Sequence, residues 1–168
     1  SLGPGTKLPS LVHTTYQKLK DAYYTAAKGL LDAKSDALLV ETTQDLLQAK
    51  AAVNGSRAAM AKVDRDVILI AQVTVEQTGT MLLGSEIGAA LNALEPLNID
   101  LLGLNCATGP AEMSEHLRYL SKNSTCAISV MPNAGLPILG AKGAEYPLGP
   151  EELAAALETF VNDYGISL

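Results

Sequence analysis

Apolar residues gather in four short runs, at positions 37–41, 67–75, 99–105 and 127–131, and a fifth run begins at Ile166. The runs are almost unbroken by polar residues, as in strands covered on both faces rather than strands with one wet side. Their starts lie 30, 32, 28 and 39 residues apart, the period of a strand followed by a crossover helix. Between them apolar residues recur at helical spacing: Leu19, Ala22, Tyr23, Ala26 and Leu30; Ile87, Ala90, Leu91 and Leu94; Met113, Leu117 and Leu120; Leu153, Leu157, Phe160 and Tyr164. Each set predicts one buried helical stripe. The segment 44–60 is predicted helical too, with Asn54-Gly55 weakening its far end.

Local signals place the helix starts. Pro110 and Pro150 suit a first helical turn, and the acidic residues that follow each (Glu112 and Glu115; Glu151 and Glu152) complement the positive end of the helix dipole. Thr43 and Asp45 read as caps of the helix after the first strand. The stretch 132–149, rich in Gly and Pro, reads as one long irregular loop that shapes access to the strand ends, with Asn133 at its entry. Thr78-Gly79-Thr80 reads as a polar loop on the same face, and no nucleotide-binding glycine pattern occurs. Together these elements make an α/β chain with a parallel sheet of about four to five strands. Two architectures fit: part of a (β/α)8 TIM barrel, or an open doubly wound sheet.

Composition narrows the function. With 168 residues, 48% hydrophobic, the chain can bury one core. A net charge of -6 without a Lys/Arg cluster argues against nucleic acid or an anionic membrane as partner and leaves a small molecule. No run reaches the roughly 18 to 20 apolar residues of a membrane span, and no signal-peptide pattern opens the sequence, so a cytoplasmic location is expected. Cys106 ends one predicted strand and Cys126 begins another, so two free thiols are expected rather than a disulfide.

Two of these residues stand out chemically. Cys106 ends an apolar strand just before a helix start, the place where α/β proteins keep their chemistry. Taken alone, it reads first as a small buried hydrophobe, since a lone Cys is a weak metal signal. Glu41 ends the first strand on the same face, where a carboxylate after four apolar residues needs either a salt bridge or a ligand. His13 and His116 read as helix-surface residues, and Asn105 either orients the site or satisfies a strand-end backbone group.

The run Gly103-Leu104-Asn105-Cys106-Ala107-Thr108-Gly109-Pro110 closely resembles the homocysteine-binding (homocysteine S-methyltransferase) domain of cobalamin-dependent methionine synthases. Val40-Glu41-Thr42-Thr43-Gln44-Asp45 and Met131-Pro132-Asn133-Ala134-Gly135 agree with the same family, in the same order. The resemblance implies the partial TIM barrel. It also implies that Cys106 is the first of three cysteine ligands of a Zn2+ ion that activates the homocysteine thiol and that Glu41 meets the homocysteine amino group; Asn105 at its strand end and Asn133 at the loop rim are the further substrate-side candidates. The methyl group would come from methylcobalamin on another module.

The family's other two zinc cysteines, adjacent in a Gly-Gly-Cys-Cys-Gly-Thr run, are not in this sequence, and Ser1-Leu2-Gly3-Pro4 reads as the end of an earlier strand. The chain is therefore expected to be the second half of the barrel domain, truncated at both ends. Alone, it is expected to be inactive, to lack tight zinc and to self-associate through open sheet edges and an uncovered apolar inner face. Its partners would be homocysteine, the remaining half of the barrel and the cobalamin and folate modules. The alternatives are a methyltransferase using betaine or S-methylmethionine as donor, and a non-catalytic α/β binding module.

Overall fold

The computed structural model describes residues 3, 5–140 and 143–168. Most of the segment expected to end an earlier strand, at positions 1, 2 and 4, lies outside the described residues. Four parallel strands form one sheet in the order β1 (Ala37–Thr43), β2 (Ile68–Val73), β3 (Leu101–Asn105), β4 (Ala127–Met131). Among the described residues five α-helices alternate with them: α1 (Tyr16–Asp32), α2 (Leu46–Met60), α3 (Ile87–Leu94), α4 (Pro110–Asn123) and α5 (Pro150–Tyr164). Among the described residues no helix is long and apolar enough to cross a membrane.

The strand order separates the two architectures. In a doubly wound sheet the order reverses and helices cover both faces. Here every strand adds to the same side of its predecessor, and right-handed crossovers then put every helix on one face. The register agrees: Leu38, Leu69, Ala71, Leu102, Leu104, Ile128 and Val130 align on one face and share the hydrophobic core with the helices. This is the winding of a barrel, left open among the described residues.

The opposite face carries Leu39, Ile70, Gln72, Leu101, Gly103 and Ser129. Its expected apolar character holds only in part. Gln72 and Ser129 are fully buried there, and the Gln72 amide donates to Ser129 Oγ at 3.1 Å. The bond satisfies the amide nitrogen, while Gln72 Oε1 is buried with no hydrogen-bond partner among the described residues, so the middle layer of this face is polar and only half satisfied.

Several sequence expectations shift on contact with the tertiary structure. The stripe of α1 turns by about one position, since Tyr23, Ala27 and Leu31 are buried while Ala22 and Ala26 are exposed. Close packing on α2 decides this. A Cβ on Gly55 of α2 would stand 2.5 Å from the Lys20 carbonyl oxygen of α1, so the glycine admits that backbone rather than ending its own helix. Asp45 caps α2, accepting from the Leu47 N–H at 2.8 Å, but Thr43 does not cap: its hydroxyl donates to the Gln72 carbonyl on β2. His13 lies in the turn before α1, not on a helix, while His116 is half-buried on α4 and burial lowers its pKa.

The 132–149 stretch is not wholly irregular, because β5 (Ile138–Gly140) and β6 (Gly143–Glu145) pair antiparallel within it. No strand is assigned at Ile166. Even so, the Leu168 N–H donates to the Ile128 carbonyl and the Leu168 carbonyl accepts from the Val130 N–H, the paired bonds of a parallel bridge to β4.

Candidate functional site

The carboxyl ends of β1 and β3 meet at one cluster, and the same backbone device builds both. In a regular strand successive side chains point to opposite faces. Glu41 and Asn105 point to the inner face, so Thr42 and Cys106 ought to turn toward the helices. Both instead have left-handed backbones, with φ of 55° at Thr42 and 60° at Cys106, which return their side chains to the inner side. In β1 the device is a bulge: Val40 pairs with Ala71 and Thr43 with Val73, leaving Glu41 and Thr42 opposite the single residue Gln72.

Left-handed φ is uncommon outside glycine and a genuine outlier for a β-branched residue such as threonine. Ala107 adds a third case at φ 59°. Strain of about 1 to 3 kcal/mol per such residue persists only where the surroundings enforce it, and it gathers at functional sites. Here the enforcement is visible. The Cys106 N–H bonds to the Met131 carbonyl across the β3–β4 ladder, and the Thr108 N–H turns back to the Cys106 carbonyl at 2.7 Å.

Asn105, 3% exposed, joins the cluster. Its Oδ1 accepts the Thr42 N–H at 2.9 Å and the Thr74 hydroxyl at 3.5 Å. Its Nδ2 donates to Thr42 Oγ1 at 2.6 Å and lies 3.3 Å from both Glu41 Oε2 and Cys106 Sγ. The Thr42 hydroxyl stands 3.2 Å from Glu41 Oε2 and 3.5 Å from Cys106 Sγ. A carboxylate, a thiol, an amide and a hydroxyl therefore meet within hydrogen-bond reach, and the thiol is partly open to solvent.

The structure thus brings together Glu41, Asn105 and Cys106. Asn133 stands beside them by backbone contact, its N–H donating to the carbonyl of Thr108 in the turn that follows Cys106. Cys126 lies at the other end of the sheet, its thiol bonded to the Ile99 carbonyl and its pKa raised by burial, and both cysteines are free. Thr42 is the member that sequence reasoning missed. It sits inside the Glu41-Thr42-Thr43 motif, but composition carries no sign of a left-handed threonine.

One thiol suits a metal as a donor but does not make a tetrahedral site. Among the described residues no group of three or more His, Cys, Asp and Glu side chains could hold a metal ion.

Comparison with known proteins places this geometry. A family model described as homocysteine S-methyltransferase matches residues 1–168. The chain is 67% identical over its full length to methionine synthase of Mycobacterium tuberculosis, and 66% identical to that of Mycobacterium leprae. It spans 14% of the length of each of these relatives. Among solved structures it resembles the apo form of the homocysteine methyltransferase MmuM from Escherichia coli, with a TM-score of 0.66 and 19% identity over 79% of this chain and 48% of that one. The metallated form of MmuM matches with a TM-score of 0.58 and 20% identity, over 69% of this chain and 40% of that one. At these identities the structural likeness concerns the fold.

Proposed function

Because the chain belongs to the homocysteine S-methyltransferase family, we propose that its cluster of Glu41, Asn105 and Cys106 is part of the homocysteine site of a methionine synthase. The observation that carries this reading is the convergence of a carboxylate and a thiol from two different strands on one solvent-open strand end, held by a buried amide. An amino-acid thiol needs both partners: a carboxylate for its ammonium, and a group that favours its thiolate, the nucleophilic form.

In this reading the chain is the second half of the barrel domain. Cys106 supplies one thiolate donor to a Zn2+ ion whose remaining ligands come from outside the described residues. Bound zinc favours deprotonation of a coordinated thiol, so the substrate sulfur would be nucleophilic at neutral pH. The residues of this chain do the rest. Glu41 holds the ammonium, Asn105 serves the substrate by orienting Glu41 and Cys106, and Asn133 stands at the rim of the same mouth. Methylcobalamin as methyl donor, the cobalamin and folate modules as neighbours, and a cytoplasmic location belong to the same proposal, supported by the 67% identity to a methionine synthase.

Glu41 provides the test. A hydrogen bond to a charged group contributes about 1.5–3 kcal/mol, or about 10- to 100-fold in binding. In the full-length enzyme Glu41→Gln is expected to raise KM for homocysteine by about that factor and to change kcat less. An unchanged KM in a folded Glu41→Gln enzyme counts against the assignment.

The isolated chain is proposed to self-associate. Ile68 and Met131, on the inner face, are 50% and 56% exposed. Apolar side chains beside unpaired strand backbone favour association over a lone monomer. Sedimentation velocity at rising concentration is expected to show growing species, and a single monomer boundary throughout rules this out.

A further inference from the structure

We propose that Thr42 is a positioning residue of this site, whose hydroxyl fixes the Cys106 sulfur and the Glu41 carboxylate relative to each other. The inference rests on the reading of Glu41 and Cys106 given above and adds a residue to it.

The geometry of the hydroxyl carries the argument. Thr42 Oγ1 accepts from Asn105 Nδ2 at 2.6 Å, the shortest contact of the cluster. With that lone pair engaged, its single hydrogen is directed away from Asn105, toward Glu41 Oε2 at 3.2 Å or Cys106 Sγ at 3.5 Å. Asn105 Nδ2 reaches the same two acceptors at 3.3 Å each. The amide and the hydroxyl therefore form two linked donors facing one carboxylate oxygen and one sulfur. Whichever acceptor the hydroxyl serves, the second amide hydrogen is available to the other.

The backbone makes the arrangement specific to position 42. The bulge opposite Gln72 and the φ of 55° bring this side chain to the inner face, and Asn105 Oδ1 pins the turn by accepting the Thr42 N–H at 2.9 Å. Glycine takes a left-handed conformation freely, so a turn needed only for its shape calls for no threonine. A threonine held in an unfavourable conformation, with its hydroxyl accepting from Asn105 and its one hydrogen within reach of Glu41 and Cys106, has its purpose in the side chain.

Four variants of the full-length enzyme, three at Thr42 and Cys106→Ala, separate the possibilities, with kcat, KM for homocysteine and zinc content measured on each. Residues that orient metal ligands typically contribute 10- to 100-fold, so Thr42→Val is expected to lose about that factor in kcat/KM while Thr42→Ser recovers most of it. Thr42→Gly is expected to lose as much as Thr42→Val, because it keeps the turn and lacks the hydroxyl. If Thr42→Gly or a folded Thr42→Val keeps the parental kcat/KM while Cys106→Ala is inactive, the role of Thr42 is overturned and the site stands. If Cys106→Ala itself keeps activity, the underlying site assignment fails.

Discussion

Replacing Cys106 by alanine in the full-length enzyme is expected to abolish homocysteine methylation and to strip most of the bound zinc, while leaving the fold intact. The thiol is partly exposed and lies outside the hydrophobic core, so its removal opens no cavity among buried side chains. The backbone that carries it is held by other atoms: the Cys106 N–H on the Met131 carbonyl, and the Thr108 N–H on the Cys106 carbonyl. Stability should therefore change little. Residues behind the ligands of a metal site typically contribute about 10- to 100-fold in affinity or activity, and a ligand itself contributes more. Cys106→Ser is expected to fare nearly as badly, because a hydroxyl is a harder and far less acidic donor than a thiol. Zinc content by metal analysis, read beside turnover and thermal unfolding, checks all three statements. A Cys106→Ala enzyme that keeps its zinc and its rate would falsify the assignment.

Gly103→Ala is expected to be the most damaging small substitution for stability. An added Cβ would stand 2.0 Å from the Ser129 carbonyl oxygen, 2.2 Å from Ser129 Oγ and 2.7 Å from the Ser129 carbonyl carbon. Rotation of the serine side chain relieves only one of these contacts. The other two involve the backbone of the neighbouring strand, in the middle of the β3–β4 ladder where Gly103 pairs with Ser129. Relief requires the strands to part, and their separation holds Cys106 through the Met131 carbonyl one step further along. Overpacking commonly costs 1 to 3 kcal/mol, and a clash with backbone belongs at or above the upper end, so about 3 kcal/mol or more is expected. For a domain of this size that lowers Tm by about 6 to 12 °C. Calorimetry of the intact enzyme reads the transition directly, and a shift of less than about 2 °C means the ladder gives way at little cost.

Much of this molecule was legible along its sequence. Strand β4 falls on its apolar run, 127–131, and α3 on its stripe from Ile87 to Leu94. Pro110 and Pro150 open α4 and α5, and the neighbouring Glu112 and Glu152 accept the Gly109 and Gly149 N–H groups at 3.0 and 2.8 Å. These are local matters. Burial on both faces, a missing proline N–H or a carboxylate beside a helix start act within a few residues, so they leave their mark in a short window of sequence. The same holds for Glu41, Asn105 and Cys106, because strand ends can be read and polar residues at strand ends are conspicuous.

What escaped the sequence depended on neighbours distant along it. The face of α1 follows from the approach of its backbone to Gly55, not from its own periodicity, and Thr43 serves β2 because the bulge brings it into register with Val73 on the helix-facing side. Thr42 has no signature because the left-handed turn is stabilised by an asparagine 63 residues away. The chain alone determined the alternation of strands and helices and the residues at the strand ends, since propensity, periodicity and capping are short-range. Only the tertiary structure decided that the sheet winds in one direction with every helix on one face, and that two strained residues bring a thiol and a carboxylate together. Strand order and backbone strain are set by long-range packing, which no window of sequence contains.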